Sequence, residues 1–244
     1  MEPEMLQGER KEGSVVEHLE ELRWAIIRAL LAVVAIFPIA YYFSDALVEL
    51  LLRYLCPPDL RLRYFSPVEP LFVKLKMSMY LAGLVAAPYV LRQVWGFVAP
   101  GLYLREKKLA GFLLSASCLL FIAGAAFSLW FILPLVMTFS VGFQTTYLEA
   151  AIGFEQFVNL VGMLVIGFGA MFQSPALIFV LIYTGVVSVE RVVALRPVII
   201  VVILIISAVL TPPDVLSQMM MAIPTWLLFE AGILLARLFC RKSS

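Results

Sequence analysis

Six long apolar stretches are the dominant feature of this 244-residue chain. They extend over Trp24–Phe43, Val73–Trp95, Leu109–Met137, Phe157–Val187, Pro197–Leu210 and Gln218–Ala236. A bilayer core about 30 Å thick needs about 20 helical residues. Since 63% of the residues are hydrophobic and 14% are charged, no soluble core of this size could bury the apolar surface. The sequence therefore predicts an all-α polytopic membrane protein with six transmembrane helices in a single domain, 1–244.

Basic residues occur in alternate connections between these stretches. The connections after the second and fourth stretches and the C-terminus carry Arg105, Lys107, Lys108, Arg191, Arg196, Arg241 and Lys242. The connections after the third and fifth stretches contain no Lys or Arg. Because positively charged loops stay in the cytoplasm, the pattern predicts that both termini are cytoplasmic.

The N-terminus and the first connection need separate interpretations. Residues 1–14 are mostly polar, and we expect them to form a disordered cytoplasmic segment. Residues 44–72 carry three arginines although the alternation places them outside. Apolar anchors such as Tyr64 and Phe65, together with the turn sequence "CPPD", predict a structured outside loop there.

The fifth apolar stretch is unusually short. Its 14 residues correspond to about 21 Å of helix, and the sixth stretch is interrupted by Pro224 and Glu230. Two interpretations stay open: buried helices in a compact bundle, or helices that thin the bilayer locally. Prolines within or at the edges of other spans bend helices in lipid, which favours a concave bundle.

No catalytic, metal or cofactor motif occurs in the sequence. GxSxG, HExxH and phosphate-loop patterns are missing, and a single histidine cannot form a metal site. We interpret His18 as a helix-surface residue rather than a proton relay, and Cys118 and Cys240 as packing residues. The net charge of +1 gives no sign of nucleic-acid binding. The sequence thus predicts no enzyme and no cofactor.

Charged residues gather at two places that the charge alternation assigns to the cytoplasm. The group before span one comprises Glu17, Glu20, Glu21 and Arg23. The group before span three comprises Arg105, Glu106, Lys107 and Lys108. Ordinary interfacial charge would explain both groups, but acidic residues contribute little to topology. Exposed carboxylates could instead bind a cationic ligand, and a guanidinium fits because it pairs bidentately with a carboxylate.

Two polar residues fall at membrane depth. Gln173 lies in span four before Pro175, and Glu230 lies in span six. A polar group in hydrocarbon is costly unless it is paired, which makes each residue a functional candidate. Gln173 either bridges helices of this chain or meets a partner. Glu230 either snorkels to the interface or pairs with Arg237, one heptad further on.

Five motifs, in order, resemble those of the TatC family, the polytopic subunit of the bacterial twin-arginine protein translocase. They are "HLEELR" at 18–23, "SPVEPLFVKLK" at 66–76, "AAPYVLRQVWGFVAPGLYLREKK" at 86–108, "FQSPALIF" at 172–179 and "LTPPDVLSQMMMAIPTWLLFE" at 210–230. The resemblance implies a receptor that binds twin-arginine signal peptides at its cytoplasmic face. It further implies export of folded proteins with TatA- and TatB-type single-span partners, driven by the proton motive force. The expected location is the bacterial cytoplasmic (inner) membrane, in a complex with more than one copy of the chain.

The resemblance also implies roles for individual residues. Those of the signal site are Glu21, Arg23, Phe97, Pro100, Glu106 and Lys108. Those of the far-side turn are Pro212, Pro213 and Asp214. Gln173 is expected to contact a partner's helix, although the family commonly has Glu there and Gln cannot titrate. Tyr54 also departs from the family, because some members have Pro at this position.

The resemblance and the charge pattern together suggest a mechanism. We expect Glu21 and Glu106 each to accept one guanidinium of the signal, with Arg23 and Lys108 keeping the two carboxylates ionised and oriented. The competing interpretation is a secondary transporter of a small ion or solute. Few charges lie in the membrane interior and no inverted repeat relates the two halves, which disfavours that class.

Overall fold

The computed structural model is almost entirely helical over the residues that it describes, which are 2–57, 62–98, 107–142, 151–211 and 215–240. Within these ranges the chain forms nine α-helices. They are α1 (Glu2–Leu55), α2 (Glu69–Val98), α3 (Lys107–Phe127), α4 (Leu133–Val141), α5 (Phe154–Met171), α6 (Ser174–Tyr183), α7 (Val189–Ala194), α8 (Arg196–Leu210) and α9 (Val215–Cys240). A π-helical turn, Ser128–Ile132, joins α3 to α4. The predicted all-α fold is confirmed.

The helices reproduce the six predicted spans. Five segments of the described chain are long and apolar enough to cross a membrane: His18–Leu55, Glu69–Phe97, Gly111–Val141, Phe154–Tyr183 and Gln218–Leu238. The remaining apolar helix, α8, has only 15 residues, or about 22 Å of length. The fifth span is therefore short in the structure, as the sequence predicted.

The first helix begins earlier than the sequence predicted. Its backbone is helical from Glu2, whereas we expected residues 1–14 to be disordered. Pro3 stands in the first turn, where its missing N–H costs nothing, and the Glu, Lys, Arg and Leu residues that follow favour helix.

The first helix also ends later than predicted, at Leu55. The connection that the sequence placed at 44–72 is therefore helical at both ends, and only residues 56–68 lie outside α1 and α2. Val48, Leu51 and Leu55 are buried at helical spacing. Packing of this apolar face against the bundle prolongs the helix beyond the apolar run.

The connection between α1 and α2 is tied to the start of α5. The backbone N–H of Arg63 donates to the carbonyl of Ile152 at 3.1 Å, and the N–H of Phe154 donates to the carbonyl of Arg63 at 2.8 Å. Glu69 is 6% exposed. Its carboxylate accepts hydrogen bonds from the backbone N–H groups of Phe65 and Glu155, at 2.7 and 3.1 Å. These bonds fix one end of the bundle.

Two apolar clusters make up the core. The larger joins α1, α2, α5 and the third span around Met77, Leu133 and Phe168. The smaller joins α6, α7 and α9 around Ile178 and Ile233. Residues of α2, α5, α6, α8 and α9 border a cavity of about 690 Å³. This cavity makes the bundle concave on one side.

Candidate functional site

The start of the first span and the end of α2 lie side by side. The His18 ring stacks on the Phe97 ring, with 4.3 Å between the centroids and 15° between the planes. At the other end of this helix pair, Lys74 Nζ donates a hydrogen bond to Asp45 Oδ2 at 2.6 Å. The two helices are therefore antiparallel. The motif "HLEELR" is level with the point where the chain leaves α2 towards the second charged group.

Glu21 lies one helical turn beyond His18, on the same face of α1. Its side chain is 63% exposed, and its Oε2 is 3.6 Å from Nδ1 of His18. This separation is too long for a hydrogen bond. Among the residues that the structure describes, Glu21 makes no other ion pair. Its carboxylate is open to a cation from outside the chain.

The predicted pairing of Arg23 with Glu21 is not found. Residues two apart on a helix do not face each other, so the two side chains diverge. Arg23 is exposed and forms no ion pair within the described part of the chain. Its charge still lies in the same turn as Glu21 and contributes to the local field.

Several predicted site residues lie outside the described residues. These are Pro100 and Glu106 in the connection after α2, and Pro212, Pro213 and Asp214 in the predicted far-side turn. Of Lys108, the structure gives the backbone position in the first turn of α3. Glu106 directly precedes that helix in the chain.

Gln173 occupies a break between α5 and α6. Pro175 follows it in the first turn of α6, where it has no N–H to continue the α5 ladder. The Gln173 side chain donates from Nε2 to the backbone carbonyl of Ser117 at 3.0 Å. Its Oε1 is buried and has no hydrogen-bond partner in the described chain. Gln173 thus bridges two spans and keeps one free acceptor.

The same residue lines the 690 Å³ cavity. Most of the cavity wall is apolar and comes from α5, α8 and α9, while Gln173, Ser174 and Thr225 contribute polar groups. The hydroxyl of Ser174, like Oε1 of Gln173, lacks a partner among the described residues. Both atoms are buried, so the cavity surface is mainly apolar and suits an apolar helix.

Glu230 pairs with Arg196 rather than with Arg237, the partner suggested by the sequence. Arg196 Nη2 donates to Glu230 Oε2 at 2.5 Å. Arg237 is two turns away along α9, about 10 Å, whereas Arg196 begins α8 beside Glu230. Near the start of α9, Gln218 Nε2 donates to the carbonyl of Leu204, in the middle of α8, at 3.0 Å. The short helix α8 is therefore held to α9 at its first residue and at its middle.

The sequence did not reveal two of these contacts. His18 was interpreted as a surface residue, and only its spacing of three from Glu21 hinted at their proximity. Arg196 was counted as a topological charge, although a cation at the start of a short span beside a half-buried carboxylate is a candidate ion pair. The Phe97 ring and the Glu230 carboxylate, which these two residues contact, come from other helices.

The chain is similar to proteins of one family along most of its length. The family model described as Sec-independent protein translocase protein (TatC) matches residues 17–224. The Sec-independent protein translocase protein TatC of Aquifex aeolicus is 37% identical over 93% of this chain and 96% of its own. That of Escherichia coli K12 is 32% identical, over 93% and 90%. A crystal structure described as the twin-arginine translocase receptor TatC matches with a TM-score of 0.83 at 36% identity, covering 91% of this chain and 98% of that one.

Proposed function

The chain belongs to the TatC family, whose members are receptor subunits of the twin-arginine translocase and not enzymes, and we propose that it binds the paired arginines beside the His18–Phe97 stack. That stack is the observation that carries the proposal. It places the exposed Glu21 carboxylate next to the end of α2, from which the connection to Glu106 departs. The proposal adds Glu106, from the connection that follows α2 in the chain, as the second carboxylate for the same ligand.

In this proposal, Glu21 and Glu106 each accept one guanidinium of the signal. A planar guanidinium donates two parallel hydrogen bonds to a carboxylate, which an ammonium cannot do. Two such exposed pairs contribute roughly 1–3 kcal/mol together, which is weak binding. The apolar part of the signal supplies the remainder against exposed apolar side chains. On α1 these include Trp24, Ile26 and Leu30.

The supporting residues take more limited roles. Phe97 provides the ring on which His18 rests, and Pro100 and Lys108 belong to the connection that carries Glu106 and to the helix that follows it. Arg23 does not pair with Glu21. Its positive charge contributes to the electrostatic field around the carboxylate but does not orient it. The binding face is cytoplasmic, as the distribution of Lys and Arg over the connections supports.

The experiment that tests the site measures binding of a twin-arginine peptide to the full-length chain in membranes. Glu21→Ala and Glu106→Ala should each weaken binding, and the matched change Glu20→Ala, one residue away on the helix surface, should not. A twin-lysine peptide should bind the parent protein more weakly. Undiminished binding to both glutamate variants would exclude the proposed pair.

We also propose that the cavity beside Gln173 receives the helix of a TatA- or TatB-type partner. Support comes from its largely apolar wall. The Arg196–Glu230 pair keeps the short helix α8 in place at the rim. In the bacterial cytoplasmic membrane, several copies of the chain with such partners would export folded proteins, driven by the proton motive force. The short fifth span would thin the bilayer where the partners gather.

A further inference from the structure

We infer that His18 is a positioning residue of the signal site, which holds the start of the first span against α2 and steers the carboxylate of Glu21. The inference rests on the proposed function, since it assigns a second residue to the same site. It also replaces the interpretation of His18 as an idle surface residue. Two contacts made by one imidazole carry it.

The first contact is the stack on Phe97, with 4.3 Å between ring centroids. It matters because this part of α1 has few other neighbours. In the most apolar 18-residue segment of this span, only 6% is buried within the structure. Leu19, Trp24 and Leu30 are all at least half exposed. A near-parallel ring contact at this exposed end of the span therefore helps to fix where Glu21 lies relative to α2.

The second contact is with Glu21 itself. Nδ1 of His18 lies 3.6 Å from Oε2 of Glu21, and both side chains are about half or more exposed, at 49% and 63%. At this distance the imidazole ring lies directly beside the carboxylate without engaging it in a full hydrogen bond. A Lys or Arg in its place would form a tight ion pair and compete with the guanidinium of the signal. The imidazole thus orients Glu21 and leaves it free.

Separating the two contacts requires three substitutions. His18→Phe keeps a ring for the stack but removes Nδ1. His18→Gln keeps a polar group near Glu21 but removes the ring, and His18→Ala removes both. The matched control is Leu19→Ala, because Leu19 is 59% exposed and adjacent in the chain. The probe is a fluorescent peptide with two consecutive arginines and an apolar stretch, titrated against the full-length protein in nanodiscs.

We expect His18→Ala to weaken peptide binding about tenfold and the Phe and Gln variants about threefold each, while Leu19→Ala stays within twofold. The double variant His18→Phe, Glu21→Gln should bind no more weakly than Glu21→Gln alone, because the lost contact acts through that carboxylate. A merely structural role would give losses that multiply instead.

Two results would overturn the inference. One is unchanged binding in His18→Ala and His18→Phe while Glu21→Ala still loses binding, which would leave the proposed site intact but His18 without a role. The other is multiplicative loss in the double variant. Full binding by Glu21→Ala would remove the proposed site itself, and the role of His18 with it.

Discussion

Replacing Gly162 with alanine tests how closely α5 packs against α2 at the wall of the cavity. An ideal Cβ at Gly162 would lie 2.1, 2.2 and 2.4 Å from the Cδ2, Cε2 and Cγ atoms of Tyr80. Ordinary contact begins at 3.4 Å, so the aromatic ring would have to move by about 1 Å or more. Because Tyr80 also lines the cavity, the displacement would change the shape of the proposed partner site.

The expected penalty follows from two opposing effects. Overpacking of this kind costs about 1–3 kcal/mol, whereas Gly→Ala inside a helix gains roughly 0.5–1 kcal/mol. We therefore expect Gly162→Ala to lower the free energy of unfolding by about 1–2 kcal/mol. Gly96 and Gly111 are the matched controls, since an added Cβ meets nothing within 4 Å at either position. Alanine there should be neutral or stabilising.

The assay is denaturant unfolding of the full-length chain in detergent, with crosslinking to single-span partners in membranes as a second readout. Tyr80→Ala removes the ring, so the penalty of Gly162→Ala should largely vanish in that background. The reasoning would be refuted if Gly162→Ala were as stable as Gly111→Ala, or if its penalty were the same without the ring.

Three further changes test other contacts. Glu230→Ala should lower the free energy of unfolding by about 1–3 kcal/mol, because it leaves the half-buried Arg196 guanidinium unpaired. The exchange R196E/E230R should recover most of this loss, and no recovery would argue against the ion pair. Glu69→Ala should lower the free energy of unfolding by about 1–3 kcal/mol, because two backbone N–H groups lose their acceptor. Glu49 is exposed, so Glu49→Ala should leave this free energy nearly unchanged, and equal losses in the two variants would contradict the reasoning. Inserting four leucines in α8 should impair transport of a folded reporter but leave signal binding unchanged, and normal transport would show that thinning is not its role.

The number and position of the spans could be predicted from the sequence because a transmembrane helix is a local property of consecutive apolar residues. The shortness of α8 could be predicted for the same reason. The end of α1 could not be predicted, because packing of Val48, Leu51 and Leu55 against distant parts of the chain prolongs the helix beyond the apolar run. Helix ends of this kind depend on tertiary contacts.

The candidate site was predicted in part. The exposed carboxylate of Glu21 followed from the charge pattern, and the family resemblance supplied its proposed role. The contacts of the site could not be predicted, because they join residues far apart in the chain. The Arg196–Glu230 pair spans 34 residues and the bond from Gln173 to Ser117 spans 56. Two relations could have been judged from spacing alone: Arg23, two positions from Glu21, cannot face it, and His18, three positions away, can.

Photocrosslinking from the signal tests the central proposal most directly. A peptide with a photoreactive group beside its paired arginines would be bound to the full-length protein in membranes. The proposal predicts crosslinks near Glu21 and Val94, which are exposed at the His18–Phe97 end of α1 and α2, and their loss when the arginines are replaced by lysines. Crosslinks of equal yield at Val68, exposed just before the opposite end of α2, or crosslinks indifferent to the lysine change, would contradict it.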